Sequence, residues 1–191
     1  MATEYEWKFQ GTDALLEAID QAFPVPFEKL SMETVYYDTR SLALSALRYT
    51  LRKRLENGVS VCTLKTPAGN ARREWEQRCD CIEDFATNLP ALGAPDISQL
   101  TSEGLIPICG AKFTRIAKTL TLPEGVVELA LDRGYLTGGN QKTPFFEVEV
   151  ELKSGSQELC DAFAKELAER FSLTPEKKSK FRRALDLYKG E

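Results

Sequence analysis

Histidine is absent from this chain of 191 residues. Imidazole is the general base in Ser-His and Cys-His nucleophilic catalysis, and it is a common ligand of zinc and iron. Its absence therefore excludes those nucleophilic sites, histidine-ligated zinc and iron, and phosphohistidine chemistry. A catalytic site in this protein has to use carboxylates, lysines, arginines or tyrosines, or a metal bound through oxygen. Carboxylate ligands suit hard cations, which favours Mg²⁺ or Mn²⁺.

Cysteine is present, but it is scattered along the chain. The five cysteines are an odd number, and their spacing does not suggest a disulfide framework. Cys79 and Cys81 resemble half of a zinc site, yet no second pair has the spacing of zinc ligands. We therefore expect reduced thiols at Cys62, Cys79, Cys81, Cys109 and Cys160.

The chain also lacks an excess of positive charge and any long hydrophobic run. Its 25 basic and 29 acidic residues give a formal net charge of −4, which argues against binding of duplex nucleic acid or an anionic membrane. No apolar run approaches the roughly 18 residues of a spanning helix, and the N-terminus has no signal-peptide pattern. We expect a soluble cytoplasmic protein in which residues 1–191 form one domain. The sequence does not indicate the oligomeric state.

Glutamates alternate with apolar residues in two segments, one at the N-terminus and one at residues 145–152. Successive side chains of a strand point to opposite faces, so the glutamates of each segment share one face. Neighbours on that face lie roughly 7 Å apart, close enough for two carboxylates to reach one cation. The glutamates are Glu4 and Glu6 in the first segment, and Glu147, Glu149 and Glu151 in the second.

Basic residues alternate in the same way in the middle of the chain. Three strand-like segments follow closely there, and Asn57-Gly58 between the first two is a strong hairpin signal. Arg73 has the parity of Trp75, which places both on the face opposite the other charged residues. The charged faces contain Arg48, Arg52 and Arg54, then Lys65, and then Arg72, Glu74, Glu76 and Arg78.

These charged faces have two interpretations. Antiparallel sheets often have one solvated polar face, and cross-strand pairs of opposite charge stabilise them by roughly 0.2–1 kcal/mol each. Solvation explains any single strand, but not the clustering of like charges in several strands. Two like charges about 4 Å apart repel by about 4 kcal/mol at an effective dielectric constant near 20. A barrel with its charged faces inward would offset this repulsion, because its cavity would hold a metal among the glutamates and a polyanion among the basic residues.

The order of the segments predicts an α+β protein. About eight strands follow one another through short turns, and helices lie near the start, middle and end of the chain. The long strand at residues 105–122 is expected to contain a bulge near Gly110, and Asp38 is expected to cap a short helical turn. Capping signals and apolar periodicity predict further helices that begin near Thr12, Ile82, Pro95, Ser154 and Pro175.

Several short motifs place these charges along nearly the whole chain. They are Glu4-x-Glu6-x-Lys8, Arg52-x-Arg54, Thr63-Leu64-Lys65, Arg73-x-x-Glu76, Arg115, Asp132, Glu147-x-Glu149-x-Glu151 and Ser179-Lys180-Phe181. In this order they resemble the CYTH superfamily, the triphosphate tunnel metalloenzymes. The first triplet has little specificity by itself, whereas the combination of the motifs is specific.

The resemblance implies a closed, eight-stranded antiparallel β-barrel, a tunnel with helices packed outside. It implies Mg²⁺ or Mn²⁺ as the cofactor and a triphosphate-containing small molecule as the partner. The implied metal ligands are Glu4, Glu6 and one or two of Glu147, Glu149 and Glu151. The implied phosphate-binding residues are Lys8, Arg52, Arg54, Lys65, Arg115 and Lys180.

For such a site we expect hydrolysis of a terminal phosphoanhydride. Phosphoryl transfer mainly requires positioning and charge neutralisation, and Lys8 is expected to serve in catalysis as well as in binding. A water molecule would be oriented by Glu74, Glu76 or Glu151, or by a second metal. Inorganic triphosphate is the first choice of substrate, because the sequence shows no set of residues that would read a base.

Other functions stay open at this point. A class IV-type adenylate cyclase would hold ATP in the same way and use the ribose hydroxyl as the nucleophile. A thiamine or nucleoside triphosphatase would also need a stacking surface, and Trp7 and Trp75 are instead expected to pack outward under helices. A non-catalytic polyphosphate- or nucleotide-binding module would release no phosphate, and a purely structural barrel would bind nothing.

Overall fold

The computed structural model describes residues 5–68 and 71–190. The strands within these ranges are β1 (Glu6–Gln10), β2 (Glu28–Asp38), β3 (Thr50–Glu56), β4 (Val59–Ala68), β5 (Ala71–Arg78), β6 (Ile106–Leu122), β7 (Gly125–Gly138), β8 (Gln141–Ser154) and β9 (Thr174–Pro175). The helices are α1 (Asp13–Ala22), α2 (Ala43–Ala46), α3 (Ile82–Asn88), α4 (Gln157–Phe171) and α5 (Lys180–Lys189), with a 3₁₀ turn at Leu89–Leu92. The α+β class predicted from the sequence is confirmed.

All nine strands belong to one antiparallel sheet with the order β5-β4-β3-β2-β6-β7-β8-β1-β9. The extra strand relative to the eight predicted is β9, which pairs with the outer edge of β1 through Phe9 and Gln10. A closing β5 would need that same edge. Among the described residues no ladder joins β5 to β1 or β9, so the structure shows an antiparallel sheet whose closure into a barrel stays a prediction.

Helices cover the outer face of the sheet at two places. α1 and α4 pack over β7, β8 and β1, and α3 packs over β3, β4 and β5. The first core contains Leu16, Ile19, Leu129, Val148, Val150 and Leu167, and the second contains Leu51, Leu64, Phe85 and Leu89. The apolar face opposite the three glutamates of β8 is therefore buried under helices, as the sequence predicts.

The last helix, α5, lies on the other, charged face of the sheet, so the prediction that helices pack outside is wrong for it. Its Ala184 and Leu185 share a third core with Phe113 of β6, and Phe113 has the same parity as the charged Arg115. The close approach depends on Gly138 of β7, because a Cβ there would clash with the backbone of α5. α5 consequently fills part of the space that the charged face encloses.

Three local predictions agree with the structure. Asn57 and Gly58 both have positive φ, 48° and 84°, as a two-residue type I′ hairpin requires. The Asp38 carboxylate accepts hydrogen bonds from the amides of Leu44 and Ser45, both at 2.9 Å, and so caps α2. The register between β2 and β6 shifts at residues 107–109, which places the bulge beside Gly110.

The helix predicted to begin near Pro95 is wrong, because residues 98–103 form turns. The Asp96 side chain accepts a hydrogen bond from the Ser98 amide at 2.8 Å, and such local bonds compete with helix formation. Ile97 is nevertheless buried in the core beneath α3. The apolar periodicity of this segment therefore reflects burial of its side chains rather than a helix.

None of the described helices is long and apolar enough to cross a membrane.

Candidate active site

A cavity of about 410 Å³ lies on the charged face of the sheet, beside the N-terminus of α5. Its walls include β5, at one end of the strand order, and β1, next to the other end, which means that the sheet curves around it. Among the described residues, seven cationic side chains and four carboxylates line it. The cations are Lys8, Arg52, Arg54, Lys65, Arg72, Arg115 and Lys180, and the carboxylates are Glu6, Glu74, Glu149 and Glu151. The lining is thus net positive in a chain whose formal charge is −4, which suits an anionic ligand.

One wall, formed by β3, β4 and β5, is mainly cationic. Lys65 Nζ lies 2.8 Å from the Glu74 carboxylate, and an Arg52 Nη lies 3.6 Å from it. Arg72 donates to the Arg48 carbonyl at 2.9 Å and to the Thr50 hydroxyl at 3.0 Å. Glu74 is therefore the single carboxylate among the cavity-lining groups of this wall, surrounded by several cations.

Arg54 is the least compensated cation of this wall. Its Nε donates to the Thr34 hydroxyl at 3.3 Å, and it forms no ion pair with any of the described carboxylates. Burial, followed by repulsion from Arg52 and Arg115, lowers the pKa of Arg54 to about 10. A guanidinium in this state gains stability from an anion.

The opposite wall, formed by β1 and β8, contains the other three carboxylates. Glu6 lies directly opposite Glu151 across the two strands, and Lys8 lies opposite Glu149. Lys8 contacts Glu6 on its own strand, while Lys153 Nζ lies 2.9 Å from Glu151. Like charges directly opposite each other destabilise a sheet. A hard divalent cation between Glu6 and Glu151 would remove that repulsion, so these carboxylates fit a metal such as Mg²⁺ or Mn²⁺.

Two further carboxylates, Asp132 and Glu147, form a buried cluster with Glu149 of this wall. Oxygen atoms of Asp132, Glu147 and Glu149 lie within 4.8 Å of one another. Lys180 Nζ lies among them, 2.8 Å from Asp132 and 2.7 Å from Glu149, and it also contacts Glu147. Arg115 forms a bidentate pair with Asp132 at 2.7 and 2.8 Å. The cluster is therefore neutralised by cations of the protein itself.

The pKa values of this cluster reflect both burial and the ion pairs. Burial raises the pKa of Glu147 to about 7, although the charge of Lys180 lowers it. Burial alone would lower the pKa of Lys180, but the charges of Glu149, Asp132 and Glu147 outweigh burial and raise it. Burial would raise the pKa of Glu149, and the charges of Lys180, Arg115 and Lys8 instead hold it well below its usual range. Both groups are consequently charged at neutral pH.

The structure brings together most of the residues that the sequence predicts for the site, with three exceptions. Glu147 is fully buried and does not line the cavity, because both of its oxygens face cations of α5. Glu76, on the edge strand β5, is exposed and lies outside the cavity lining. Glu4 lies outside the described residues. The predicted residues that line the cavity are Glu6, Lys8, Arg52, Arg54, Lys65, Glu74, Arg115, Glu149, Glu151 and Lys180.

Sequence reasoning missed other lining residues. Arg72 has the same strand parity as Glu74, so alternation along β5 was a sufficient signal to include it. Tyr36 and Thr50 face the cavity from β2 and β3, and no motif marks them. Asp132 matches a motif, but its role as a partner of Arg115 and Lys180 depends on tertiary contacts.

The aromatic side chains offer no open stacking surface in the described cavity. Trp7 donates to Asp161 of α4 at 2.7 Å, and Trp75 packs in the core beneath α3. Both therefore lie on the outer face, as the sequence predicts. The rings that line the cavity, Tyr36 and Phe181, pack against each other with centroids 4.9 Å apart.

All five cysteines are free thiols, which confirms the expectation from their spacing.

Comparison with known proteins gives consistent matches. The model of the CYTH domain matches residues 2–185. An inorganic triphosphatase of Haemophilus influenzae is 31% identical over 139 residues, which cover 70% of this chain and 40% of that protein. The chain thus corresponds to well under two thirds of the length of this relative.

Two solved structures have the same fold at low sequence identity. A Hippeastrum candidate adenylyl cyclase, HpAC1, reported to have a dominant triphosphatase activity, has a TM-score of 0.67 and 15% identity, over 98% of this chain and 96% of that one. The PH1819 protein of Pyrococcus horikoshii has a TM-score of 0.65 and 20% identity, over 96% and 98% of the two chains.

Proposed function

The chain belongs to the CYTH domain family, and from that premise we propose that it is a metal-dependent triphosphatase that hydrolyses inorganic triphosphate to diphosphate and phosphate. The observation that supports this most is the cavity, which sets a cationic wall against a wall of carboxylates. A triphosphate with a divalent metal has both partners that such walls require.

The cationic wall is proposed to bind the phosphates. Arg54 has no carboxylate partner in the described part of the chain. Arg52 lies next to it on the same face of β3, and Lys65 lies opposite Thr50 on β4. A phosphate between these groups would replace the weak pair of Arg52 with Glu74, which is 3.6 Å long. Lys8 and Arg115 approach from the other side of the cavity.

Glu6 and Glu151, together with Glu4, would hold Mg²⁺ or Mn²⁺, which when bound would neutralise charge on the phosphate oxygens. Glu149 lines the cavity beside them, but its two oxygens contact Arg115 and Lys180. Glu74 is proposed to accept a proton from the attacking water. The water oxygen forms a bond to the terminal phosphorus, the phosphoanhydride bond breaks, and diphosphate leaves. Among the described carboxylates, Glu74 is the one placed on the phosphate-binding wall, and in a chain without histidine a carboxylate is the natural base.

The substrate proposal rests on the closed packing of the lining rings. Tyr36 and Phe181 pack against each other with 47° between their ring planes, and we propose that this packing leaves no open aromatic face for a nucleoside or a thiazolium in the described part of the cavity. Inorganic triphosphate needs only charges. We therefore expect its turnover to exceed that of ATP and of thiamine triphosphate.

The test is product analysis with triphosphate, ATP and thiamine triphosphate, each with Mg²⁺ or Mn²⁺. Diphosphate plus phosphate from triphosphate is the expected result, and Glu74→Gln should lower kcat by about 100-fold. The exposed Glu17→Gln on α1 is the matched control and should leave kcat unchanged. Formation of cyclic AMP from ATP would contradict the proposed hydrolysis and support the adenylate cyclase alternative. Tight binding of triphosphate without any product would indicate a non-catalytic binding module.

A further inference from the structure

Glu147 belongs to the glutamate triplet of β8, yet its surroundings differ from those of Glu149 and Glu151. It is fully buried, and it is absent from the cavity lining. One of its oxygens contacts Lys180, and the other contacts an Nη of Arg183. With an ammonium on one oxygen and a guanidinium on the other, Glu147 connects two residues of α5.

Lys180 and Arg183 stand one turn apart on α5 and point to the same side. Only Lys180 reaches the cavity. Arg183 lies behind it and is also 3.5 Å from Glu176, on the segment that leads from β9 to α5. The chain of contacts therefore runs from Glu176 through Arg183 and Glu147 to the Lys180 ammonium.

The charges of this network balance. Asp132, Glu147 and Glu149 provide three carboxylates, and Arg115, Lys180 and Arg183 provide three cations. Removing Arg183 would leave Glu147 with Lys180 as its one described cationic partner. Glu147 would then compete more strongly with Asp132 and Glu149 for the Lys180 ammonium, which contacts all three, because a buried unpaired carboxylate is costly. Lys180 would no longer be held in one position at the cavity.

We propose that Arg183 is a positioning residue that acts through Glu147 to hold the Lys180 ammonium at the α5 end of the cavity, where it meets a phosphate of the substrate. Glu147 has a positioning role as well, and it is not a metal ligand. The inference rests on the proposed function, because the phosphate is the group for which Lys180 is held.

A first test does not require activity. Protons on a lysine ammonium exchange quickly with water unless the group is buried and hydrogen-bonded, so ¹⁵N spectra detect the held ammonium groups. Lys118 provides an internal reference, since it is also buried and donates to the Asp20 carbonyl of α1 at 2.8 Å rather than to this cluster. The Lys180 signal is assigned by its loss in Lys180→Met.

In Arg183→Met we expect the Lys180 signal to broaden or disappear while the Lys118 signal remains, and Arg183→Lys should restore it in part. Arg182→Met is the matched control, because Arg182 pairs with Asp186 and is half exposed. An unchanged Lys180 signal in Arg183→Met overturns the proposal. Loss of both signals also overturns it, because Arg183 would then be required for the fold as a whole.

A second test separates this inference from the proposed function. With triphosphate as the probe, Arg183→Met should raise KM by about tenfold with little change in kcat, the loss expected when one charged partner is removed from a buried network. In the Lys180→Met background, Arg183→Met should have no further effect on KM. A wild-type protein without turnover contradicts the proposed function, and an additive effect of the two substitutions contradicts the positioning role.

Discussion

At the scale of single residues, the site is defined by charges that the protein does not fully pair. Arg54 has a pKa lowered to about 10, primarily by burial, and Glu6 lies opposite Glu151 with like charge. In contrast, Lys180 and Arg115 are paired with carboxylates at 2.7–2.8 Å. Arg54 lies on one wall of the cavity, and the like charges of Glu6 and Glu151 face each other on the opposite wall, so a ligand would stabilise these groups.

The Arg54 guanidinium tests this distinction. Arg54→Ala removes a charged donor to phosphate and should raise KM for triphosphate by about 10- to 100-fold, since hydrogen bonds to charged groups contribute about 1.5–3 kcal/mol. The free energy of unfolding should not decrease by a corresponding amount, because the substitution also removes an uncompensated buried charge. Steady-state kinetics and urea unfolding measure the two effects.

Arg78→Ala is the matched control for Arg54→Ala. Arg78 lies on the same cross-strand row, opposite Val61, which in turn lies opposite Arg54, but it is exposed and outside the cavity. Its KM should match that of the wild type. An equal increase in KM in Arg54→Ala and Arg78→Ala would mean that Arg54 acts through the overall electrostatic field of the protein rather than through contact with a bound phosphate.

At the scale of elements, α5 decides the shape of the site. The helix packs on the charged face of the sheet through Ala184 and Leu185, and its first residue, Lys180, enters the cavity. Ser179 caps it by accepting a hydrogen bond from the Arg182 amide at 3.2 Å. The position of α5 therefore couples the packing of an apolar core to the placement of a charged group.

Gly138→Ala should disturb that coupling. A Cβ at this position clashes with the α5 backbone at Ala184 and Tyr188, so the helix has to shift at a cost of about 1–3 kcal/mol. We expect a lower urea midpoint and a higher KM for triphosphate. Gln141→Ala, an exposed change in the same hairpin, should alter the free energy of unfolding by less than about 0.5 kcal/mol. A Gly138→Ala protein with wild-type stability would contradict the described packing of α5.

The end of α1 provides a second test at this scale. Lys118 is 2% exposed and donates to the carbonyls of Asp20 and Phe23 at 2.8 and 2.6 Å, where a cation is favoured by the helix dipole. Lys118→Met should reduce the free energy of unfolding by about 1–3 kcal/mol without changing KM. Lys112→Met, which removes a surface ion pair with Glu33, should cost under about 1 kcal/mol.

At the scale of the whole molecule, alternation along strands was enough to predict the α+β class and most of the cavity lining. It placed Glu149 and Glu151 with Glu6, and it set Arg73 on the face of Trp75. It gave Glu147 the same face, but it could not show that α5 would bury that residue, since the contact joins positions 36 residues apart. Glu76 has the right parity and still lies outside the lining, since it is exposed on the edge strand β5, and parity does not show which residues of a face a cavity covers.

The single sheet contains all nine described strands, which come from nearly the whole length of the chain. We therefore propose that residues 1–191 act as one domain. Ligand binding should then stabilise the molecule as a unit. At a triphosphate concentration of 100 Kd the gain is about 2.7 kcal/mol, or roughly 5–10 °C in Tm for a protein of this size. Calorimetry should show this shift in the wild type and a smaller one in Arg54→Ala at the same concentration.

The most direct measurement is a crystal structure of the protein with Mn²⁺ and triphosphate, in which anomalous scattering locates the metal. We expect manganese bound between the carboxylates of Glu6 and Glu151, phosphate oxygens on Arg52 and Arg54, and Lys180 still paired with Glu147. Manganese among Asp132, Glu147 and Glu149 with Lys180 displaced, or triphosphate bound outside the cavity, would contradict it.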